Sequence, residues 1–216
     1  VDPSPRPLAL LLPAGAGEQL QAALQAQGVA WHFGTTVQSL DAHAPSGRLQ
    51  AVLADGSSVL VDVVLIAVGL RASAALASAA GIVCERGIVV DAHLQTSAAH
   101  VYALGDCAQY ASAGGRMLPY VMPIMNAAKA LAATLAGQPT ALVFPLMPVA
   151  VKTPALPIVV AAPDPKLDGQ WTQDAGGEPE AGDVWRFVDE AGQQRGLVLT
   201  GKQSSRRMEL AKATVL

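Results

Sequence analysis

An apolar run of eight residues, Val63 to Leu70, is the feature that most constrains how this chain can fold. After Asp62 every residue in it is apolar, so a strand formed here would have no face suited to water. Such strands occur in parallel sheets that are covered on both faces. The run includes Gly69 and is followed by an alanine-rich segment, 72–80, that is typical of a helix. This order predicts an α/β fold with a ligand crevice at the carboxyl end of the strand.

Composition excludes several classes of protein. Hydrophobic residues make up 51% of the chain and charged residues 14%, which excludes a disordered protein. The longest apolar run without proline has eight residues, whereas a membrane-spanning helix needs ~20. A net charge of −3 provides no basic field for nucleic acid. Cys84 and Cys107 form no C-x-x-C motif, which argues against zinc and thioredoxin-like sites and favours a reducing, cytoplasmic setting.

A second strand-like segment ends in a glycine and an acid. Val101 to Leu104 is followed by Gly105 and Asp106, and Thr96 precedes it. Gly105 would allow a ligand to approach the backbone closely. The Asp106 carboxylate could accept hydrogen bonds from sugar or ribityl hydroxyls, or it could cap the turn that follows. The residues alone favour neither interpretation.

Between these motifs the pattern predicts an antiparallel meander and a helix. The strand candidates are 35–40, 48–54 and 58–68. Asp55-Gly56 supplies a hairpin signal between the last two. The segment from Pro123 to Leu135 predicts a helix whose only charge is Lys129, so we expect it to be buried on most sides.

The last third of the chain predicts a small domain of strands and a closing helix, with Trp171 in a polar loop. The segments are 144–151, 156–162, 184–188, 196–200 and 204–213. Lys152 follows an apolar stretch, and two interpretations are open. Its cation could be held near a ligand, either an electron-rich ring or an anion. Alternatively, it could be a strand-edge lysine whose side chain reaches solvent. Residues 195–216 carry a net charge of +4. That tail is either a docking surface for an acidic partner or a solvated helix end.

These segments, in this order, resemble a known family. D-V-V-L-I-A-V-G-L-R (62–71), Thr96 and V-Y-A-L-G-D-C-A (101–108) resemble the FAD- and NAD(P)-dependent pyridine nucleotide-disulfide oxidoreductases. Residues 118–137 and 144–160 are similar to the NADH:rubredoxin reductases within that family. The resemblance covers essentially the whole chain, but the family's glycine-rich dinucleotide fingerprints are absent. It therefore implies a C-terminal half that begins after the second strand of the NAD domain and is inactive alone.

The resemblance also implies a fold and a domain order. We expect an α/β architecture of partial Rossmann-like FAD/NAD(P)-binding domains with an antiparallel meander, plus a small C-terminal α+β domain. Residues 1–70 would be the C-terminal part of the NAD-binding domain. Residues 71–140 would be the C-terminal part of the FAD-binding domain, and residues 141–216 the small C-terminal domain.

Roles for individual residues follow from the resemblance. Asp106 would bind the ribityl chain of FAD, and Gly105 would allow the close approach. Lys152 would add positive charge at the flavin pyrimidine edge and is the one residue with an implied catalytic role. Backbone N–H groups at the start of the helix would face the same edge, namely those of Ile124, Met125 and Asn126. The NADH cleft would be lined by Ala67, Val68 and Gly69.

The implied function is electron transfer from NADH, or alternatively NADPH, through FAD to a small iron-containing carrier such as rubredoxin or ferredoxin. A ferredoxin reductase or the flavoprotein part of a nitrite reductase is the nearest alternative. A catalytically silent oligomerisation or partner-binding module is another, and it would bind no flavin. We expect no metal site, no nucleic acid and no membrane, and we expect exposed strand edges to favour homo-oligomers.

Overall fold

The computed structural model describes residues 1–174 and 181–215. By its internal contacts the chain divides into a discontinuous unit, Val1–Leu65 with Pro148–Leu216, and a central unit, Ile66–Met147. Helices, antiparallel sheets and one parallel strand pair confirm the predicted mixed α/β class. Within the part of the chain that is described, no helix is long and apolar enough to cross a membrane.

The discontinuous unit begins with a helix and a meander. Helix α1 (Ala14–Gln25) follows Pro13. An antiparallel sheet then contains β1 (Val37–His43), β2 (Arg48–Leu53) and β3 (Ser58–Val61), in the order β1-β2-β3. The turn between β2 and β3 contains Gly56 at φ 85°, a left-handed conformation that favours glycine. The predicted meander and its Asp55-Gly56 turn are confirmed.

The predicted continuation of the last strand is wrong. Strand β3 ends at Val61, and residues 63–70 form neither helix nor strand. Their side chains are largely in water, with Leu65 87% and Val68 92% exposed. None of the described strands pairs with this run, so nothing satisfies its backbone in a ladder or covers its two apolar faces.

The central unit contains two helices and a short parallel pair. Its elements are α2 (Ala75–Ala79), β4 (Ile88–Val90), β5 (Ala108–Tyr110), a 3-10 helix (Ala111–Ala113) and α3 (Val121–Leu135). Strands β4 and β5 run parallel, with Val89 opposite Gln109. The predicted strand before Gly105 is reduced to a single bridge between Gln95 and Tyr102. Its backbone therefore depends on neighbouring loops.

Helix α3 packs through one face only. It buries Pro123, Ala127 and Ala130 and leaves Val121 73% and Met125 63% exposed. The expectation that it is covered on most sides is therefore wrong. The side chains that share its core come from β4, β5 and the surrounding loops: Val90, Leu94, Ala103, Ala108, Tyr110, Ala113 and Leu142.

The chain then completes the discontinuous unit with a five-stranded antiparallel sheet. Its strands are β6 (Val149–Val151), β7 (Ile158–Ala161), β8 (Gly169–Gln173), β9 (Val184–Asp189) and β10 (Gln194–Thr200), in the order β6-β7-β10-β9-β8. Trp171 lies within β8, so the prediction of a loop there is wrong. The predicted closing helix is interrupted: a 3-10 helix (Gly201–Arg206), α4 (Arg207–Leu210) and a second 3-10 helix (Ala211–Ala213).

Helix α1 packs against this sheet. Their shared core comprises Leu12, Ala16, Leu20, Ile158, Val160 and Val198. A polar network joins the same elements, because the Gln19 amide donates to the Asp183 carboxylate and accepts from the Thr200 hydroxyl. The N-terminal helix and the C-terminal sheet are thus parts of one folded unit.

Candidate functional site

The turn at Gly105 is the centre of the candidate site. Gly105 is buried and has φ +85°, and a Cβ at this position would meet no atom within 4 Å. The space beside its backbone is therefore open to a ligand. The Gly105 carbonyl accepts a hydrogen bond from the Ala108 amide at 3.1 Å, which closes the turn immediately before β5. A side chain here would adopt a left-handed conformation that L residues disfavour.

The Tyr110 side chain stabilises this turn by hydrogen bonds to its backbone. Its hydroxyl accepts a hydrogen bond from the Gly105 amide at 2.7 Å and donates to the Gly105 carbonyl at 3.3 Å. The side chain is fully buried and packs edge-on against Phe144, with 5.2 Å between ring centroids. Burial raises the pKa of the Tyr110 hydroxyl above its usual value. The neutral phenol thus fixes the backbone of the motif residue Gly105.

Asp106 extends from the turn into solvent. Among residues 1–174 and 181–215, none donates a hydrogen bond to its carboxylate and none forms an ion pair with it. The interpretation of Asp106 as a cap of the next turn therefore finds no support in its contacts. An exposed carboxylate beside an open backbone can accept hydrogen bonds from the hydroxyls of a ligand.

Gln109 connects the turn to the loop before β4. Its side-chain carbonyl accepts hydrogen bonds from the amides of Arg86, at 3.0 Å, and Gly87, at 3.3 Å. Its amide donates to Glu85 at 2.7 Å. Gln109 is only 7% exposed, and this buried amide joins β5 to the segment that precedes β4.

Thr96 has a structural role. Its hydroxyl accepts from the Ala98 amide at 3.2 Å and lies 3.3 Å from the Ala98 carbonyl, which shapes the loop before Val101. Because the Thr96 hydroxyl is used within its own loop, Gly105 and Asp106 are the motif residues that remain available to bind a ligand.

Helix α3 begins at a different residue from the one predicted, which changes the N–H groups available at its N-terminus. Helix α3 begins at Val121, two residues before the predicted start at Pro123, and no side chain caps it. The N–H groups without an intrahelical acceptor therefore belong to Val121 and Met122. In a helix with this start, the N–H groups of Ile124, Met125 and Asn126 already have acceptors in the preceding turn. The Asn126 side chain is also engaged, since it donates to the Met122 carbonyl at 3.0 Å.

The central unit brings the Gly105 turn and α3 into one core. Ala108 and Tyr110, on the strand that follows the turn, share a buried cluster with Ala127 and Ala130 of α3. Two features suited to an anionic or polyhydroxyl cofactor are thus carried by elements of one core: an exposed carboxylate and a helix start that no side chain caps.

Lys152 belongs to the discontinuous unit. It follows β6 directly, it is exposed, and it forms no ion pair or hydrogen bond with any residue that the structure describes. The exposed side chain agrees with the alternative of a strand-edge lysine, and its cation is also accessible to an anion.

The predicted NADH residues lie in the exposed run. Ala67, Val68 and Gly69 are all exposed, and Gly69 has φ +96°. No described residue holds them in a strand, so their predicted place at the end of a parallel strand is not observed. No group of three metal-ligating side chains occurs in the described part of the chain.

Two residues of the site were missed by the sequence analysis. Tyr110 and Gln109 both act on the turn and its neighbouring loop through contacts made after folding. A signal for Tyr110 was present, because a buried tyrosine needs a partner for its hydroxyl and this chain contains only three tyrosines. No comparable signal marked Gln109.

Comparison with known proteins connects this geometry to a family. Residues 1–133 match the family model described as pyridine nucleotide-disulphide oxidoreductase. Residues 141–214 match the model described as rubredoxin binding C-terminal domain. The two matches together cover nearly the whole chain.

Individual relatives agree with these matches. The rubredoxin-NAD(+) reductase of Alcanivorax borkumensis is 42% identical over 212 residues, which cover 98% of this chain and 54% of that protein. The nitric oxide reductase FlRd-NAD(+) reductase of Aeromonas salmonicida is 45% identical over 171 residues, or 79% of this chain and 43% of that protein. The chain thus spans about half the length of the curated relatives it matches.

A solved structure shares the fold. The ferredoxin reductase of Rhodopseudomonas palustris superimposes with a TM-score of 0.86 at 22% identity, covering 100% of this chain and 54% of that one. The α/β architecture that the resemblance implied is therefore confirmed at the level of fold.

Proposed function

The chain belongs to the pyridine nucleotide-disulphide oxidoreductase family, and we propose that it serves as part of an FAD-dependent reductase that takes electrons from NADH and passes them to a rubredoxin-type carrier. The names of its relatives and the match of residues 141–214 support this function. The observation that carries it is the exposed carboxylate of Asp106, to which no described residue donates a hydrogen bond, at a turn whose Gly105 backbone is hydrogen-bonded to Tyr110.

The residues of the turn suit FAD. Asp106 offers acceptor oxygens for ribityl hydroxyls, and the open space beside Gly105 admits the ribityl chain against the backbone. When bound, the flavin supplies the redox chemistry, accepting a hydride and releasing electrons to a carrier. The chain's own contribution is to position that cofactor and to set the field around it.

The start of α3 supplies part of that field. We assign the N–H groups of Val121 and Met122, in place of those of Ile124, Met125 and Asn126, as the donors nearest to the flavin pyrimidine edge. A helix N-terminus carries a positive partial charge that favours an anion, and no acid in the first turn of α3 offsets it. Lys152 belongs to the other unit; as a separate proposal, its exposed cation, unpaired among described residues, adds positive charge to the FAD site.

NADH is proposed to meet the run that contains Ala67, Val68 and Gly69. Gly69, at φ +96° and without a side chain, is suited to close contact with a cofactor. In this proposal NADH covers part of the exposed run.

Flavin retention by the 216-residue chain tests the FAD site. The chain is incubated with excess FAD, desalted and examined by visible absorption, and we expect close to one flavin per chain. Asp106→Ala should reduce the affinity at least about tenfold, since a charge-assisted hydrogen bond contributes about 1.5–3 kcal/mol. Glu190→Ala, which removes an exposed acid from the β9–β10 turn, is the matched control and should retain flavin.

Two results would contradict this assignment. Equal flavin retention by the Asp106→Ala variant would remove the role of the carboxylate. Absence of flavin from the unchanged chain would favour the alternative of a silent partner-binding module for these residues by themselves.

The basic tail is proposed as the surface that attracts an acidic carrier. Arg195 pairs with Asp189 at 2.7 Å, and Arg206 pairs with Glu209 at 2.9 Å. Lys202, Arg207 and Lys212 are exposed and form no ion pair with described residues. These cations leave an excess of positive charge, which speeds association with an acidic protein at low salt.

Charge reversal tests the tail. Arg206→Glu combined with Arg207→Glu should weaken binding of a purified rubredoxin to the chain and flatten the salt dependence of that binding, as measured by titration at low and high ionic strength. The control is the double reversal Arg71→Glu and Lys129→Glu, two exposed cations of the central unit. An unchanged salt dependence in the tail variant would contradict the docking role.

A further inference from the structure

A cleft of about 430 Å³ lies entirely within the discontinuous unit, and none of the residues assigned to FAD and NADH lines it. It is formed by the segment before α1, the first turn of α1, the residues after β7 and two tryptophans. Its lining includes Arg6, Leu10, Pro13, Pro163, Trp171 and Trp185. Clefts of ~300–1,000 Å³ lined by apolar and aromatic groups are typical of small-molecule sites.

Arg6 is the cation of this cleft, and none of the described residues provides a counter-ion for it. The side chain is half-buried, its Nε is inaccessible to solvent and unbonded, and no residue in the described ranges pairs with its guanidinium. The stem packs over α1, because a Cβ at Gly17 would lie 3.0 Å from Arg6 Cδ. A partly buried guanidinium without an acceptor is costly, and an anion at this place would offset that cost.

Trp185 adds a flat wall and a second unbonded donor. Its six-membered ring lies so close to α1 that a Cβ at Gly15 would be 2.5 Å from Cη2. Its buried Nε1 has no acceptor among the described residues. Trp171 lines the same cleft and is held by an edge-on contact with Phe187, with 5.5 Å between ring centroids.

The start of α1 adds to the positive field. Helix α1 has twelve residues, no side chain caps it after Pro13, and its first turn contains no acid. The amides of Ala14 and Gly15, both in the lining, have no intrahelical acceptor. No acid is among the described lining residues; Asp164, which stands in the sequence between two lining prolines, accepts a hydrogen bond from the Lys166 amide at 2.9 Å. The cleft thus combines a positive end with apolar walls.

We propose that this cleft binds a small aromatic carboxylate. The planar guanidinium of Arg6 matches a carboxylate by two parallel hydrogen bonds. The α1 N-terminus stabilises the same charge. The indoles of Trp171 and Trp185, with Leu10, accommodate an aromatic ring. A strongly hydrated anion such as phosphate would leave those walls unused, so the aromatic part is required for binding.

Titration of the 216-residue chain with 2-naphthoate and with its uncharged counterpart 2-naphthamide tests the proposal. Binding is followed by calorimetry and by tryptophan emission, since two of the chain's three tryptophans line the cleft. The unchanged chain should bind the carboxylate at least about tenfold more tightly than the amide, the magnitude of one charge-assisted contact. Inorganic phosphate should fail to displace naphthoate.

Three variants separate the contribution of the Arg6 charge to binding from the contribution of the space in the cleft. Arg6→Gln should bind the carboxylate and the amide equally, whereas Arg71→Gln, an exposed arginine outside the cleft, should keep the preference. Ala162→Phe places a ring into the cleft from an exposed position, so it should weaken both ligands without disturbing the core. Thermal melts of all three variants verify that the chain remains folded.

Several outcomes would overturn the proposal. Equal affinities of the unchanged chain for naphthoate and naphthamide would do so, as would a preserved preference in the Arg6→Gln variant. Unchanged affinity in the Ala162→Phe variant would place the ligand elsewhere. Displacement by phosphate, or by an acidic peptide, would assign the positive end to a different class of partner.

Discussion

At the scale of single residues, Tyr110 decides the shape of the candidate site. Its hydroxyl is both acceptor and donor for Gly105, so one side chain satisfies both backbone groups of the motif glycine. Asp106, which follows, can then point outward because its own side chain is not needed to hold the turn. The positioning group and the ligand-binding group are thus separate residues.

Replacement of Tyr110 by phenylalanine leaves the ring but removes the acceptor of the Gly105 amide. We expect the free energy of unfolding to fall by about 1–3 kcal/mol, the cost of an unsatisfied buried donor. Chemical denaturation at neutral pH measures this. Tyr102→Phe is the control, since the Tyr102 hydroxyl has no hydrogen bond among described residues, and its effect should be small.

The same substitution changes the alkaline limit of stability. Burial raises the pKa of Tyr110 above the ordinary value of 10.0, so the unfolded chain releases this proton more readily. The contribution of the protonated Tyr110 side chain to the free energy of unfolding is therefore complete below about pH 10. It is lost as the pH rises through the raised pKa that Tyr110 has in the folded state. The Tyr110→Phe variant should lose less stability above pH 10 than the unchanged chain, and identical alkaline profiles would contradict this sign.

At the scale of elements, the parallel pair β4–β5 supports the turn. Gly87 precedes β4, is buried, and lies so close to the next strand that a Cβ would be 2.7 Å from the Cys107 carbonyl oxygen. Cys107 immediately follows Asp106. The spacing of these two strands therefore controls the backbone on which the carboxylate sits.

Gly87→Ala should force the two strands apart. We expect a loss of about 1–3 kcal/mol in stability, as for overpacking of a core, together with weaker flavin retention. Gly47→Ala provides the comparison, because a Cβ there meets no atom within 4 Å and the cost is confined to the left-handed backbone, about 1–2 kcal/mol. Thermal melts with and without FAD measure both effects, and flavin retention unchanged by Gly87→Ala would contradict the role of the pair.

At the scale of the whole molecule, the exposed apolar surface of the central unit is unusual for a soluble domain. Ile66 and Val68 in the run, and Val121 and Met125 on α3, are each more than 60% exposed. Apolar surface of this extent, with an unpaired extended backbone beside it, favours association with other chains.

We therefore expect the 216-residue chain to self-associate as its concentration rises. Sedimentation velocity over a range of concentrations measures this. Leu65→Lys together with Ile66→Lys should reduce the association, whereas Met208→Lys, at a comparably exposed position on α4, should not. A monomer at every concentration, with a sharp cooperative melt, would contradict the expectation.

Local signals were sufficient for much of this protein. The Asp55-Gly56 turn, the meander on either side of it, the Gly105-Asp106 motif and most strands of the C-terminal sheet follow from preferences that act over a few residues. Backbone conformation at a glycine and alternation along a strand depend on near neighbours, so they can be predicted without knowledge of the rest of the chain.

The remaining features depend on contacts between distant parts of the chain. The apolar run was expected to be a buried strand, yet burial requires neighbouring strands, and none of those described pairs with it. The start of α3 and the hydrogen bonds of Tyr110 and Gln109 likewise depend on packing. The cleft joins Arg6 to Trp171 and Trp185, residues more than a hundred positions apart. Local propensity cannot predict that these residues lie side by side, because their proximity depends on the path of the chain between them.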